Sequence, residues 1–482
     1  MLGPMQSSPF VSVAACSMGQ YLARALHSIL RQSYQSQISK YEIVASSFPV
    51  PLRQFDIAAP QKYVMSQAIS FIRDNARGES LLLAAAHVSR SQEQDRANWH
   101  AIPSEDVLTK KAPPCAAICT TGELFGGVER HVLGLLAGLR TQELETILVL
   151  FADGELAVQA RAQGIEPIIL SSRNLSIWRT SRQLAQLFDQ RQAHVVHVHG
   201  YKASVFCALA RVWCRVRLVK TEHGLPETVA AAPIGTWRNR FYYWLDEIAT
   251  RSAVRTVCYV TADLQSYHQR VHSGLQTIVI PNGVGSMDRQ HFPRPEEMRE
   301  EWFNLLIVGR LDSVKGHHVA LEALAAEDMP SSIHLHIVGI GPRESELRAL
   351  SERLRLSDQV HFLGFRRNIY DYIAHCRALL MPSLHEGLPY TLLEAMSLGI
   401  PILASRVGGL AEVLEDERTG LFFPPGDVER LTQLIRLVHS QPQLCERLGE
   451  QAREMQRARF SLEVMTERYM RIYREALAEK VG

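Results

Sequence analysis

The chain has 482 residues, 46% of them hydrophobic and 21% charged. At roughly 150 residues per domain this is the length of about three folded units, and the composition excludes a mainly disordered polypeptide. Lys and Arg number 52 against 50 Asp and Glu, a net charge of +2, which argues against a dedicated nucleic-acid binder.

The first hundred residues read as a small α/β piece: strand, helix and strand over Phe10–Tyr34 and Tyr41–Ser47, with a further apolar strand in Ala76–Val88. Pro103–Pro114, with Lys110, Lys111 and a proline pair, reads as a boundary. From there β-branched runs at Ala116–Thr120, Thr146–Phe151, Pro167–Leu170, Val195–His199, Arg217–Lys220 and Thr256–Val260 alternate with helical patterns such as Val128–Leu139 and Ile177–Gln190. The aromatic and basic run Thr236–Ile248 reads as a core-facing helix, with an interfacial membrane helix as the alternative. The pattern pauses over Pro281–Arg299, rich in Pro, Gly and charge, and restarts with strands at Asn304–Val308, His334–Val338, Val360–Phe362, Ala378–Met381 and Pro401–Ala404. The last helix spans Ser461–Leu477. Strands interleaved with helices predict parallel βαβ units. The expected organisation is an extension over 1–110, two doubly wound domains over 114–285 and 300–458, and a terminal helix over 459–482.

No apolar run approaches membrane-spanning length, Leu81–Ala86 being strand-sized. The N-terminus MLGPMQSSPF has no basic segment leading into an apolar one. Eight cysteines stand singly, apart from the Cys115 and Cys119 pair, in a spacing that suits neither a disulfide framework nor a zinc site. A cytoplasmic protein is expected.

The most informative stretch is MPSLHEGLPYTLLEAMSLGIPILASRVGG, residues 381–409. A strand ends at Met381, Gly387 and Pro389 break the chain, and a helix follows from about Tyr390. Amides at that helix start favour an anion. Glu386 stands at the turn and Glu394 about two helical turns on. Carboxylates beside an anion site make sense if they meet hydroxyls, and a sugar joined to a nucleoside diphosphate has hydroxyls at both ends with phosphates between. The alternative is two surface glutamates on an amphipathic helix.

This stretch resembles glycosyltransferase family 4, retaining enzymes of GT-B fold: Glu386 and Glu394 match its Glu-x7-Glu, followed by Gly399-Ile400-Pro401 and Gly408-Gly409. Other segments match in the expected order. IVGRLDSVKG supplies Arg310 and Lys315, two cations at a strand end able to converge on a departing diphosphate. VGIGPRESEL carries Gly339, Gly341 and Arg343, lacks the third glycine of a dinucleotide fingerprint and so is a weak cofactor motif. VHFLGF, residues 360–365, resembles the segment whose backbone meets the nucleobase. In the first half, Gly126-Gly127 lie between strand and helix with no Gly-Lys-Ser/Thr after them, which excludes a P-loop. His223 in LVKTEHG resembles the family's cleft histidine. His197, His199 and Lys202 stand at another strand end and could line the acceptor side or bond within the fold.

The resemblance implies a GT-B fold of two facing Rossmann-like domains plus a small N-terminal α/β extension. Its implied function is transfer of a glycosyl unit, with retention, from a nucleotide-diphosphate sugar to a glycan or lipid-linked acceptor in cell-surface polysaccharide synthesis. The implied catalytic set is Arg310, Lys315, Glu386 and His223. Donor binding falls to Gly126, Gly127, Gly309, Gly339, Gly387, Leu388, Tyr390, Thr391 and Glu394, and the acceptor side to His199 and Lys202. No metal or other cofactor is expected, nucleic acid is not a partner, and contact with the inner face of a membrane would be peripheral. An epimerase on the same fold and a non-catalytic sugar-nucleotide-binding or scaffolding subunit are the alternatives. Residues 10–47 and 76–88 resemble the start of a family 2, GT-A, glycosyltransferase. There Ser46 or Ser47 stands where an acidic residue is expected, and Ala84-Ala85-Ala86-His87 replaces the metal-binding Asp-x-Asp, so that piece reads as catalytically silent.

Overall fold

A computed structural model describes residues 115–478 apart from 123–125, 143, 171–176 and 225–236. The expected N-terminal extension, with its family 2 resemblance, lies outside the described residues.

In the first half β1 (Cys115–Thr120) leads through α1 (Gly127–Leu139) to β2 (Glu145–Leu150), and α2 (Glu155–Ala162) leads to the two-residue β3 (Ile168–Ile169). Then come α3 (Ile177–Gln190), β4 (Ala193–His199), α4 (Tyr201–Ala210), β5 (Arg217–Glu222), α5 (Trp237–Ala253), β6 (Val254–Tyr259), α6 (Ala262–His268) and β7 (Gln276–Val279). The second half runs β8 (Phe303–Val308), α7 (His317–Leu324), β9 (Ile333–Val338), α8 (Glu344–Arg353), β10 (Val360–Gly364), α9 (Ile369–His375) and β11 (Ala378–Met381). It continues with α10 (Tyr390–Ser397), β12 (Ile402–Ser405), α11 (Gly408–Val413), β13 (Leu421–Phe423), α12 (Val428–Ser440), α13 (Pro442–Arg459) and α14 (Leu462–Ala478).

The sheets have orders β3-β2-β1-β4-β5-β6-β7 and β10-β9-β8-β11-β12-β13, and their strand pairs are parallel. Each order reverses beside its first strand, between β1 and β4 and between β8 and β11. Such switch points open a crevice at the carboxyl ends of the strands, where ligands of this architecture bind. Both sheets are covered on their two faces, which is why β1 and β9 are buried at every position.

One apolar cluster passes from the first half (Val198, Tyr259, Leu264) into the second (Leu388, Tyr390, Leu410). The last helix, α14, belongs to the core of the first half: Met465, Tyr469 and Tyr473 are buried beside Val132, Leu136 and Ile118. Two chain crossings therefore join the halves, and they run side by side. Val284 N–H donates to Phe460 O at 3.0 Å and Leu462 N–H to Val284 O at 3.0 Å. A Cβ at Gly283 would stand 2.5 Å from Ser461 O and 2.8 Å from Met465 Cβ, so only glycine allows this approach. The polar linker is stitched down as well: Met287 N–H donates to Ser397 Oγ at 3.1 Å, and Arg289 Nη2 to Ala374 O at 2.7 Å.

Candidate active site

The second-half face of the cleft carries charge. β8 ends at Val308, and Gly309 and Arg310 follow. Asp312 then accepts from Val314 N–H at 3.1 Å and Lys315 N–H at 3.2 Å, closing a single 3-10 turn that delivers Lys315 to the switch point. Lys315 Nζ reaches Glu386 Oε1 at 2.5 Å, and Ser383 Oγ donates to the same oxygen at 2.7 Å. Glu386 is buried although it stands on a loop after β11. Gly408 and Gly409 hold that loop: a Cβ on Gly408 would lie 2.1 Å from Glu386 O, and Gly409 N–H donates to that carbonyl at 3.2 Å. Arg310 stands apart, 76% exposed, its Nη2 3.0 Å from Asp312 Oδ2. The structure thus joins Lys315 to Glu386 and leaves Arg310 at the rim.

Glu394 lies on the second turn of α10 and is 1% exposed. Its Oε1 accepts from Arg130 Nη1 at 2.6 Å and from Tyr370 OH at 3.1 Å. Arg130 comes from α1 of the other half, so this pair spans the cleft. Burial raises the Glu394 carboxyl above the usual glutamate range, and Arg130 pulls against that rise. Its Oε2 has no hydrogen-bond partner, and neither does the buried hydroxyl of Tyr390. Thr391, beside Tyr390, is half-buried in the first turn of α10, which no side chain caps. Gly339 is spent on packing, since its Cβ would overlap Gly309 O.

The first-half face is rich in histidine, and Arg130 is the cation it sends across the cleft. His197 and His199 end β4, and His223 follows β5. His131 enters from α1. His197 is locked inside the fold, with Nδ1 2.6 Å from Tyr473 OH and Nε2 2.7 Å from Thr221 Oγ1. His199 Nδ1 lies 2.9 Å from His223 Nε2. Burial lowers all four imidazoles below the ordinary histidine value, His131 to about 4. The backbone of His223 meets the loop of Glu386: a Cβ on Gly387 would sit 3.2 Å from His223 O. Leu388, buried on the same loop, accepts from Asn282 Nδ2 at 2.9 Å through its carbonyl. Gly126 N–H donates to Glu129 Oε2 at 2.9 Å, and a Cβ on Gly127 would meet open space. Lys202 lies in the first turn of α4.

Below His223, Lys220 is buried with its Nζ 2.6 Å from Glu222 Oε1, 2.8 Å from Asp246 Oδ2 and 3.0 Å from Thr250 Oγ1. Burial opposes the charged amine, but the two carboxylates outweigh it and hold Lys220 above its ordinary value. Asp246 and Thr250 come from α5, so that aromatic-basic run carries polar groups inward.

Sequence reading had not assigned a role to Arg130, His131, Tyr370 or Ser383. Arg130 carried a signal, a charged residue beside Glu129 at the start of a mostly apolar helix, three residues past the Gly-Gly pair; His131 and Tyr370 carried none.

Two adjoining family matches fit this arrangement. Residues 125–285 match Glycosyltransferase Family 4, and residues 288–455 match the family Glycosyl transferases group 1. Similar proteins include the putative glycosyltransferase EpsD of Bacillus subtilis, 26% identical over 63% of this chain and 80% of that one. N-acetyl-alpha-D-glucosaminyl L-malate synthase of Bacillus anthracis is 25% identical over 62% of this chain and 78% of its own. Among solved structures, Anabaena HepE in complex with UDP superposes with a TM-score of 0.64 at 21% identity, covering 75% of this chain and all of that one. The chain is a glycosyltransferase of GT-B fold. It carries a family 4 domain followed by a group 1 domain. Among the described residues, no helix is long and apolar enough to cross a membrane.

Proposed function

We propose that the protein transfers a sugar, with retention at the anomeric carbon, from a nucleotide-diphosphate sugar to a glycan or lipid-linked acceptor. The observation that carries this reading is the Lys315–Glu386 pair at the β8/β11 switch point, on a loop that meets the backbone of His223 from the other half. Lys315, Arg310 and the amides at the start of α10 stabilise the negative charge that builds on the departing diphosphate. Glu386 holds sugar hydroxyls near the reacting carbon. Glu394 takes the ribose hydroxyls, for which its free Oε2 is suited. The acceptor attacks from the face the diphosphate leaves, and the leaving phosphate takes its proton. Glu386 is tied up by Lys315 and Ser383 and is not assigned as a nucleophile. In this scheme protein cations do the work of a metal, so transfer needs none.

Relatives support the setting. They include an O-antigen chain mannosyltransferase of Escherichia coli and a lipopolysaccharide core biosynthesis glycosyltransferase of Rhizobium meliloti. HepE has been solved with UDP-glucose. That company supports a place in cell-surface polysaccharide synthesis, and peripheral work at the inner face of a membrane is part of the proposal.

The test is to incubate purified protein with a panel of nucleotide sugars and follow nucleotide release. Release with one donor, accelerated by an acceptor and lost in Glu386→Ala, is expected. No binding or turnover with any donor would sink the reading, and conversion of the donor sugar with no acceptor would point to an epimerase.

A further inference from the structure

His131, His199 and His223 each present a ring nitrogen within 4.8 Å of the others. The hydrogen bonds around them decide which nitrogens carry protons. Asn282 Nδ2 donates to Leu388 O, which fixes the amide so that Asn282 Oδ1 faces His131 Nδ1 at 3.0 Å. That oxygen can only accept, so His131 is protonated at Nδ1 and its Nε2 is a bare lone pair. This Nε2 is buried and meets no donor. His199 shares one proton with His223 through their 2.9 Å contact, and His199 Nε2 is also buried without a partner. A tautomer with hydrogen on that nitrogen would strand an N–H in the interior, so the favoured form donates from Nδ1 to His223 and leaves a second bare lone pair; His223 Nε2 accepts that hydrogen and must exchange the bond for the ion. His131 and His199 are fully buried, while His223 is half-buried.

We propose that His131, His199 and His223 form a binding site for one divalent transition-metal ion, zinc by the chemistry of the donors, and that its occupation holds His223 away from substrate. Three neutral imidazoles with no oxygen donor suit zinc over magnesium or calcium. Asn282 supplies the outer bond to the distal ring nitrogen that orients a metal-bound histidine. Zinc–nitrogen bonds of roughly 2.0–2.1 Å place tetrahedral ligand nitrogens about 3.4 Å apart, so nitrogens now up to 4.8 Å apart must draw together and the His199–His223 hydrogen bond must open. The ion is an inhibitor in this scheme, because transfer itself draws on Lys315 and Arg310.

Tag-free full-length protein, stripped with a chelator, is titrated with cobalt(II) and read by its visible absorption, with zinc as competitor. No nucleotide sugar is present, so failure here and failure of the transferase reading are separate results. One saturable equivalent giving tetrahedral bands, displaced by zinc, is expected. His131→Asn and His199→Asn should abolish it. These positions are buried, so folding is checked by circular dichroism, and two milder variants back them: His223→Gln should remove the bands, and Asn282→Ala should weaken binding by about tenfold or more. Zinc should also slow nucleotide release by wild-type protein, and a chelator should restore it. The proposal is overturned if excess cobalt gives no bands, if bands survive in folded His223→Gln protein, which would place the ion on others of the 19 histidines, or if bound zinc leaves turnover unchanged.

Discussion

The two faces of the cleft are built from the same architecture with different side-chain chemistry. Each is the carboxyl edge of a parallel sheet at its switch point. On the second half that edge carries Lys315, Arg310, Glu386 and Glu394. On the first, apart from Arg130, it carries the imidazoles of His131, His199 and His223, which burial holds below the ordinary histidine value. In the proposed transfer, diphosphate departure needs fixed charge, whereas an acceptor hydroxyl needs hydrogen-bond partners that do not compete for the phosphates. One fold used twice can therefore divide the two tasks by the residues at its strand ends.

The largest expected effect tests the charged face. Lys315→Ala and Glu386→Ala should each cut nucleotide release by about 10²–10³-fold, as loss of a preorganised electrostatic contact does. Because the two side chains bond to each other, the double variant should lose much less than the product of the single losses. Both proteins should keep the far-ultraviolet circular dichroism of wild type. Losses below tenfold would remove Lys315 and Glu386 from the chemistry.

The histidine-rich face predicts a pH effect on stability. An unfolded histidine takes up a proton near pH 6.5, while His131 in the fold resists until about 4. The unfolded chain thus binds more protons in that window, so stability is full above pH 6.5 and falls as pH drops towards 4. For His131 alone the loss by pH 4 is about 3 kcal/mol, and His197, His199 and His223 add in the same direction. Urea unfolding in chelator buffer between pH 7.5 and 5, above most carboxylate titration, is the measurement. A flat profile there would mean that the cluster is already hydrated.

These two faces were unequally legible. Glu386 and Glu394 could be read because their spacing, the Gly-x-Pro turn and the Gly-Gly loop sit within one run of sequence. Their partners could not: Glu394 meets Arg130 from the other half, and that contact exists only once the halves face each other. His131 falls in the apolar stripe of α1 and reads as a core position. The fold class was legible from alternating apolar runs, yet β5 extends to Glu222, past the predicted end at Lys220, because Lys220 and Glu222 neutralise one another in the interior. β7 and β13, the edge strands that close the two sheets, were not among the expected strands.

A smaller effect tests how the halves are joined. α14 crosses α1 so closely that a Cβ on Gly138 would lie 2.0 Å from Thr466 Oγ1 and 3.0 Å from Thr466 Cβ. Gly138→Ala should cost about 1–3 kcal/mol by overpacking. Thr466→Ala in the same chain should return most of it, because the hydroxyl and the methyl that meet the new group are gone. If Gly138→Ala proves neutral, α14 does not hold that position against the first half.

The smallest effect concerns a tie that runs in the other direction. Glu412, on α11 of the second half, accepts from Ala262 N–H at 2.7 Å and Asp263 N–H at 2.6 Å, the first amides of α6 in the first half. It completes the cap that Thr261 makes to Leu264 N–H at 3.2 Å, and a carboxylate there also meets the positive end of the helix. Glu412→Ala should therefore cost about 1 kcal/mol in thermal or urea unfolding, while Glu412→Gln, which keeps an accepting oxygen and loses the charge, should cost less. Glu412 touches none of Lys315, Glu386 or His223, so any change in turnover must come through closure of the cleft. A fall in stability with unchanged donor KM would make the contact structural. A rise in KM would show that the histidine-rich and charged faces need this tie to meet across the donor, and no change in either would leave α6 capped by Thr261 alone.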